Sequence, residues 1–128
     1  MTDDVLTFSP ETTVDDAIRT LLERRISGAP VVDADGQIRG IISEYQLLEV
    51  VFTPNLRSST VGKCMTADVV TVSEDAPLTD VATQFVLHRI RRLPVVRDGR
   101  LVGVVSRRDL LRKVVESGAE VLPVGASA

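Results

Sequence analysis

The sequence predicts an α+β (α/β) fold made of two tandem β-α-β-β-α repeats with pseudo-two-fold symmetry. Small sheets pack against each other in this arrangement and helices lie outside. Three observations carry the prediction. Pairing residues 1–33 and 35–51 with partners 64 and then 63 positions later gives 19 identities in 50 positions. Each copy passes from short β-branched runs to helical spacing of apolar residues in the same order. The chain is 44% hydrophobic but only 3% aromatic, so its core has to be aliphatic and layered.

The first element of each copy is a short strand. Met1-Thr2-Asp3-Asp4-Val5-Leu6-Thr7-Phe8-Ser9 matches Met65-Thr66-Ala67-Asp68-Val69-Val70-Thr71-Val72-Ser73, and residues 5–8 and 69–72 read as extended. A helix follows. Val14, Ala17, Ile18, Leu21 and Leu22 form an i, i+3, i+4, i+7, i+8 stripe, repeated as Leu78, Val81, Ala82, Phe85 and Val86. Pro77 suits the first turn of the second copy.

Two strands come next, 30–33 and 38–42 in the first copy, 94–97 and 101–105 in the second. Asp35-Gly36 and Asp98-Gly99 mark the turns between them, a hairpin signal. Ser43 and Ser106 then read as N-caps of a closing helix, and Gln46 three residues after Ser43 completes a capping box. The expected organisation is a first repeat over 1–51, a polar linker over 52–63 with helix-ending Pro54, a second repeat over 64–116 and a tail over 117–128. A small sheet with helices on one side leaves its other face bare. Two copies can cover each other, and that packing is expected to create clefts between them.

Composition narrows the function. The net charge of −3 and the scarcity of aromatics argue against a nucleic-acid binder. The charge is nevertheless uneven: residues 1–60 hold five Arg and ten acidic groups, while 61–128 hold ten basic and eight acidic groups. The second half is where a phosphate is expected. One cysteine, Cys64, and one histidine, His88, exclude a disulfide framework and multi-thiolate or His-rich metal sites within one chain. Neither has a visible dyad partner, and no P-loop is present, so no enzyme is expected. No run approaches a membrane span and the start is acidic, so a cytoplasmic protein without membrane insertion is expected.

The motifs resemble a known family. Met-Thr-x-Asp-Val-x-Thr, the Pro-Val-Val strand, and the close read as Gly40-Ile41-Ile42-Ser43-Glu44-Tyr45-Gln46 and Gly103-Val104-Val105-Ser106-Arg107-Arg108-Asp109 resemble CBS motifs, named after cystathionine β-synthase. The chain looks like a stand-alone tandem CBS-domain pair, similar also to the regulatory insert of inosine-monophosphate dehydrogenases. The resemblance implies a regulatory module needing no cofactor. It would bind AMP, ADP, ATP or S-adenosylmethionine in the inter-repeat cleft, form a homodimer, and act on a separate, unknown enzyme or transporter partner.

Residue by residue, the resemblance places ribose contacts on Asp109 and Ser106. It places phosphate contacts on Arg91 and Arg92, which resemble a stretch of AMP-kinase γ subunits. Thr71, Leu93, Pro94, Arg107 and Arg108 complete the second-copy set. A carboxylate can accept from both hydroxyls of a diol, and a guanidinium fork suits phosphate. The bland alternatives are that Ser106 and Asp109 only cap a helix and that the arginines form a solvated patch or dimer ion pairs. In the first copy the set is Thr7, Ser27, Gly28, Ala29, Pro30, Ser43 and Gln46. There Gln46 replaces the Asp and Glu44 replaces Arg107, so a weaker site is expected. The alternative function is a dimerisation scaffold with degenerate ligand sites.

Overall fold

The computed structural model describes residues 5–117. Expectations for the opening Met1-Thr2 and for the tail beyond Ser117 lie outside the described residues. Two compact units account for the fold: Leu6–Val69, and the residues from Val70 on together with Val5.

In the Leu6–Val69 unit the elements are α1 (Val14–Arg24), β1 (Gly28–Val32), β2 (Ile38–Ser43) and α2 (Glu44–Val50). β1 and β2 form an antiparallel pair. The extended run expected over 5–8 contributes a single parallel bridge, Phe8 to Val31. It is held by Phe8 N–H to Pro30 O at 3.0 Å and Val32 N–H to Phe8 O at 2.8 Å. On the other edge Thr66 bridges Ile41. Phe8, Val14, Ala17, Leu21, Ala29, Val31, Ile42, Leu47 and Val61 form the core.

That Thr66 contact crosses the repeat boundary. By similarity Met65-Thr66 opens the second copy, yet by packing it belongs to the first unit. The crossing demands glycine at position 40. A Cβ there would stand 2.6 Å from Met65 Sδ and 2.7 Å from the Thr66 carbonyl oxygen.

The linker also packs. The first N–H groups of a helix lack partners within it. Here Ser59 O accepts from Val14 N–H at 2.8 Å and Arg57 O from Asp15 N–H at 3.0 Å. The N-cap Thr13 side chain takes Asp16 N–H at 3.1 Å. Asp15 binds Arg57 Nη2 at 2.6 Å and Arg19 Nε at 2.9 Å, and these guanidinia hold its carboxyl below the ordinary carboxylate range. The polar connection is thus a strap over the start of α1.

The second unit repeats the plan with β3 (Val72–Ser73), α3 (Leu78–His88), β4 (Arg92–Arg97), β5 (Arg100–Ser106) and α4 (Arg107–Ser117). β3 lies parallel to β4, and β4 antiparallel to β5. Of the strand expected over 69–72, only Val72 pairs, with Ser73 continuing it. Pro77 takes the N-cap of α3 rather than its first turn. Asp98 at φ 53° and Gly99 at φ 80° make the tight two-residue turn expected of Asp-Gly. In the first unit one more residue is accommodated because the Asp33 carboxylate accepts from Asp35 N–H (2.9 Å) and Gln37 N–H (3.0 Å). Val72, Val81, Phe85, Leu93, Val95 and Leu110 form this unit's core.

Both first helices end on an arginine in the left-handed region, Arg25 at φ 55° and Arg89 at φ 52°. Left-handed backbone costs an L-residue roughly 1–2 kcal/mol and glycine nothing comparable. Urea denaturation should therefore find Arg25→Gly more stable than wild type by up to about 1 kcal/mol. Gly40→Ala should be less stable by about 1–3 kcal/mol, because the Met65–Thr66 segment must move.

Candidate functional site

The end of each hairpin brings most of the candidate residues together. In the second unit Arg92 pairs with Ser106 across β4 and β5, and Arg107 N–H donates to Arg91 O at 3.1 Å. Arg91, Arg92, Ser106, Arg107, Arg108 and Asp109 therefore gather around the start of α4. The four arginines are exposed and form no ion pair among the described residues. Thr71 is half-buried one residue ahead of β3. Leu93 and Pro94 are fully buried, so any contact they make with a ligand is confined to their backbone.

Ser106 and Asp109 cap each other. Asp109 Oδ2 accepts the Ser106 N–H at 3.1 Å, and Ser106 Oγ accepts the Asp109 N–H at 3.0 Å. The Ser106 backbone hydrogen bond is the main reason the Asp109 carboxyl ionises below its ordinary range. Its other oxygen, Oδ1, meets only Arg112 Nη1 at 3.6 Å among the described residues, too long for a hydrogen bond. The carboxylate is thus charged and capped through one oxygen, and among the described residues the other accepts no hydrogen bond and faces only the Arg112 guanidinium.

The first unit has the same frame and different chemistry. Gly28 pairs with Ser43, and Glu44 N–H donates to Ser27 O at 2.9 Å. Ser27 is exposed, Gly28 half-buried, and Ala29 and Pro30 buried in β1. Gln46 Oε1 accepts the Ser43 N–H at 2.8 Å, as the capping-box spacing implies. Its Nε2 donates to Thr66 Oγ1. Both ends of the amide are engaged, and Glu44 brings negative charge to the helix start. Sequence reading missed Thr66 here; its signal was the repeated Met-Thr, whose packing partner no spacing rule identifies. Thr7 is half-buried beside Phe8, on an open depression of about 350 Å³ lined also by Ser9, Pro10, Glu11, Val32, Asp33 and Ala34.

The remaining reactive groups are unremarkable. Cys64 is half-buried; its thiol faces Thr60 O at 3.9 Å, and burial pushes its pKa up. His88 is exposed at the last position of α3. Among the described residues no group of His, Cys, Asp or Glu could hold a metal ion, and no helix is long and apolar enough to cross a membrane.

Comparison with known proteins agrees with the repeat. A model of the CBS domain matches residues 1–53 and 61–116. The crystal structure of CBSX2 in complex with AMP superimposes with a TM-score of 0.81 at 31% identity, covering 93% of this chain and 95% of that one. CBSX2 is an Arabidopsis thaliana protein. The CBS-domain pair of protein MJ0100, crystallised with 5′-methylthioadenosine and S-adenosyl-L-methionine, gives 0.74 at 27% identity over 91% of this chain and 93% of that one. An inosine-5′-monophosphate dehydrogenase of Methanocaldococcus jannaschii is 35% identical over 86% of this chain, which spans only 22% of that enzyme. The chain spans 40% and 61% of two other curated relatives.

The Asp109 cap has a pH signature. A carboxyl with a depressed folded pKa contributes stability that is complete above its unfolded value and lost as pH falls through the folded one. The wild-type melting temperature should therefore fall more steeply below about pH 4 than that of Asp109→Asn, which cannot titrate. Melting curves from pH 6 downward check this; parallel profiles would contradict the assignment.

Proposed function

The chain belongs to the CBS-domain family, and from that premise we propose that it is a non-enzymatic sensor of an adenine nucleotide or adenosyl ligand. The ligand is AMP, ADP, ATP or S-adenosylmethionine. Two copies associate, and the ligand-bound module changes the activity of a separate enzyme or transporter in the cytoplasm. The observation that carries this reading is the start of α4. There an ionised carboxylate has one oxygen that accepts no hydrogen bond among the described residues, beside four exposed arginines that form no ion pair among them.

The assigned roles follow from that chemistry. Asp109 accepts from ribose hydroxyls through Oδ1 while Oδ2 keeps the cap. Ser106 contributes its hydroxyl, and at least one of Arg91, Arg92, Arg107 and Arg108 meets a phosphate. CBSX2 bound to AMP and the MJ0100 pair bound to S-adenosylmethionine support the ligand class. In the first copy Gln46 has already spent its amide on Ser43 and Thr66, and Glu44 disfavours a phosphate. One nucleotide per chain, held by the second copy, is the stoichiometry this supports. The engaged Gln46 is also what favours the second reading, a dimerisation scaffold with degenerate sites.

Thermal melting against the four ligands separates the two. A ligand at a hundred times its Kd should add about 2.7 kcal/mol of stability. No shift with any of them at saturating concentration leaves the scaffold. For the ligand that binds, Asp109→Asn should weaken affinity at least about tenfold, the loss of a charge-assisted bond. Gln46→Ala should change affinity far less, and equal losses would contradict the asymmetry.

A further inference from the structure

One of the two serine joints carries far more positive charge than a single phosphate can use. Residues 89–92 and 106–113, which lead into β4 and through the first turns of α4, hold six arginines, one lysine and a single acidic residue, Asp109. All seven cations are exposed. Only Arg112 meets an acidic group among the described residues, at 3.6 Å from Asp109. The corresponding stretches of the first copy, 25–28 and 43–50, hold one arginine and two glutamates. The duplication has therefore kept the frame of the joint and loaded only one copy with cations.

These cations are arranged in sequence rather than scattered. Arg92 pairs with Ser106 across the hairpin, so the two side chains share a face of the sheet. It is the face opposite the core residue Leu93 and its cross-strand partner Val105. Arg107 and Arg108 follow Ser106 as the first residues of α4. At about 100° per residue, Arg108 stands roughly 160° round the helix from buried Leu110, so it projects away from the core. Positive charge thus runs outward from the Ser106 hydroxyl along the start of the helix.

An isolated exposed ion pair is worth little, so one phosphate on one guanidinium leaves most of this charge unused. A chain of phosphates engages several guanidinia at once through charge-assisted, bidentate bonds. S-adenosylmethionine brings a sulfonium to the same place, and like charge repels it. We propose that the second-copy site selects a nucleoside di- or triphosphate over the monophosphate and over S-adenosylmethionine, with Arg107 and Arg108 as the residues that set this order. The proposal rests on the adenosyl-ligand reading above, and it adds which of those ligands the site prefers and what decides it.

Isothermal titration calorimetry on the full chain tests it, in EDTA so that no divalent cation neutralises the phosphates. ATP and ADP should each bind at least about tenfold more tightly than AMP, and S-adenosylmethionine more weakly than AMP. Added salt should shrink the preference, because exposed charges are screened. Arg107→Gln/Arg108→Gln should bring the ATP-to-AMP affinity ratio to within about threefold. Both side chains are exposed, and an unchanged melting temperature without ligand shows that the variant folds. AMP or S-adenosylmethionine binding as tightly as ATP overturns the selectivity and leaves the sensor standing. A ratio indifferent to the double change overturns the roles of Arg107 and Arg108. Inorganic triphosphate displacing ATP at equal affinity reduces the patch to an unspecific anion surface and overturns the nucleotide preference. If none of the four ligands binds, the adenosyl-ligand reading fails and the proposal falls with it.

Discussion

Each hairpin passes into its closing helix through one serine, and the geometry of that joint determines where the neighbouring side chains go. Ser106 and Asp109 satisfy each other's backbone N–H groups, while Arg107 N–H is taken by Arg91 O from the start of β4. A cap of this kind is worth about 1 kcal/mol, but its larger effect is directional. It ties the first residues of α4 to the entry of the hairpin. With Leu110 then buried in the core, the helix has no freedom to rotate. The exposure of Arg107, Arg108, Leu111 and Arg112 follows from that restraint. The first unit reproduces it with Ser43, Gln46, Glu44 N–H to Ser27 O, and buried Leu47.

Duplication separated what the frame requires from what it tolerates. The β-bulge falls between Val31 and Val32 in one unit and between Val95 and Val96 in the other. The left-handed arginine recurs at Arg25 and Arg89. Core volume has been exchanged between layers instead. Phe8 and Leu21 in the first unit stand where Val72 and Phe85 stand in the second, so the buried aromatic has moved from strand to helix. Exposed charge is the cheapest property to change, since an isolated surface substitution shifts stability by little. Glu44 to Arg107, Glu49 to Arg112 and Gln46 to Asp109 are changes of that class. The charge at the start of the closing helix could therefore diverge between the copies while both units kept folding.

What the sequence made legible was whatever a side chain announces locally. The helix stripes were readable because their apolar spacing repeats, and the Asp98-Gly99 turn because few residue pairs accept two positive φ angles. The capping boxes were readable from serine and a polar residue three positions on. Backbone partners were not. The strap at residues 57–61 binds α1 through the carbonyls of Arg57 and Ser59, and a carbonyl carries no residue signature. The Asp15–Arg57 pair spans 42 positions, beyond any spacing rule. The opening run at residues 5–8 has strand composition, but a strand needs a partner along its length, and only Phe8 finds one. Met65-Thr66 misleads in a different way. Similarity records ancestry with the second copy, whereas packing against Gly40 assigns it to the first unit.

Among the described residues no charged or polar residue is buried, so the chemistry of the molecule sits on its surface. The positions that distinguish the two serine joints, Glu44 against Arg107 and Gln46 against Asp109, are exposed or half-buried, so neither core has to repack when their chemistry changes. The frame of each joint is carried by backbone groups and by one buried leucine, Leu47 or Leu110, and those are the features the two copies keep.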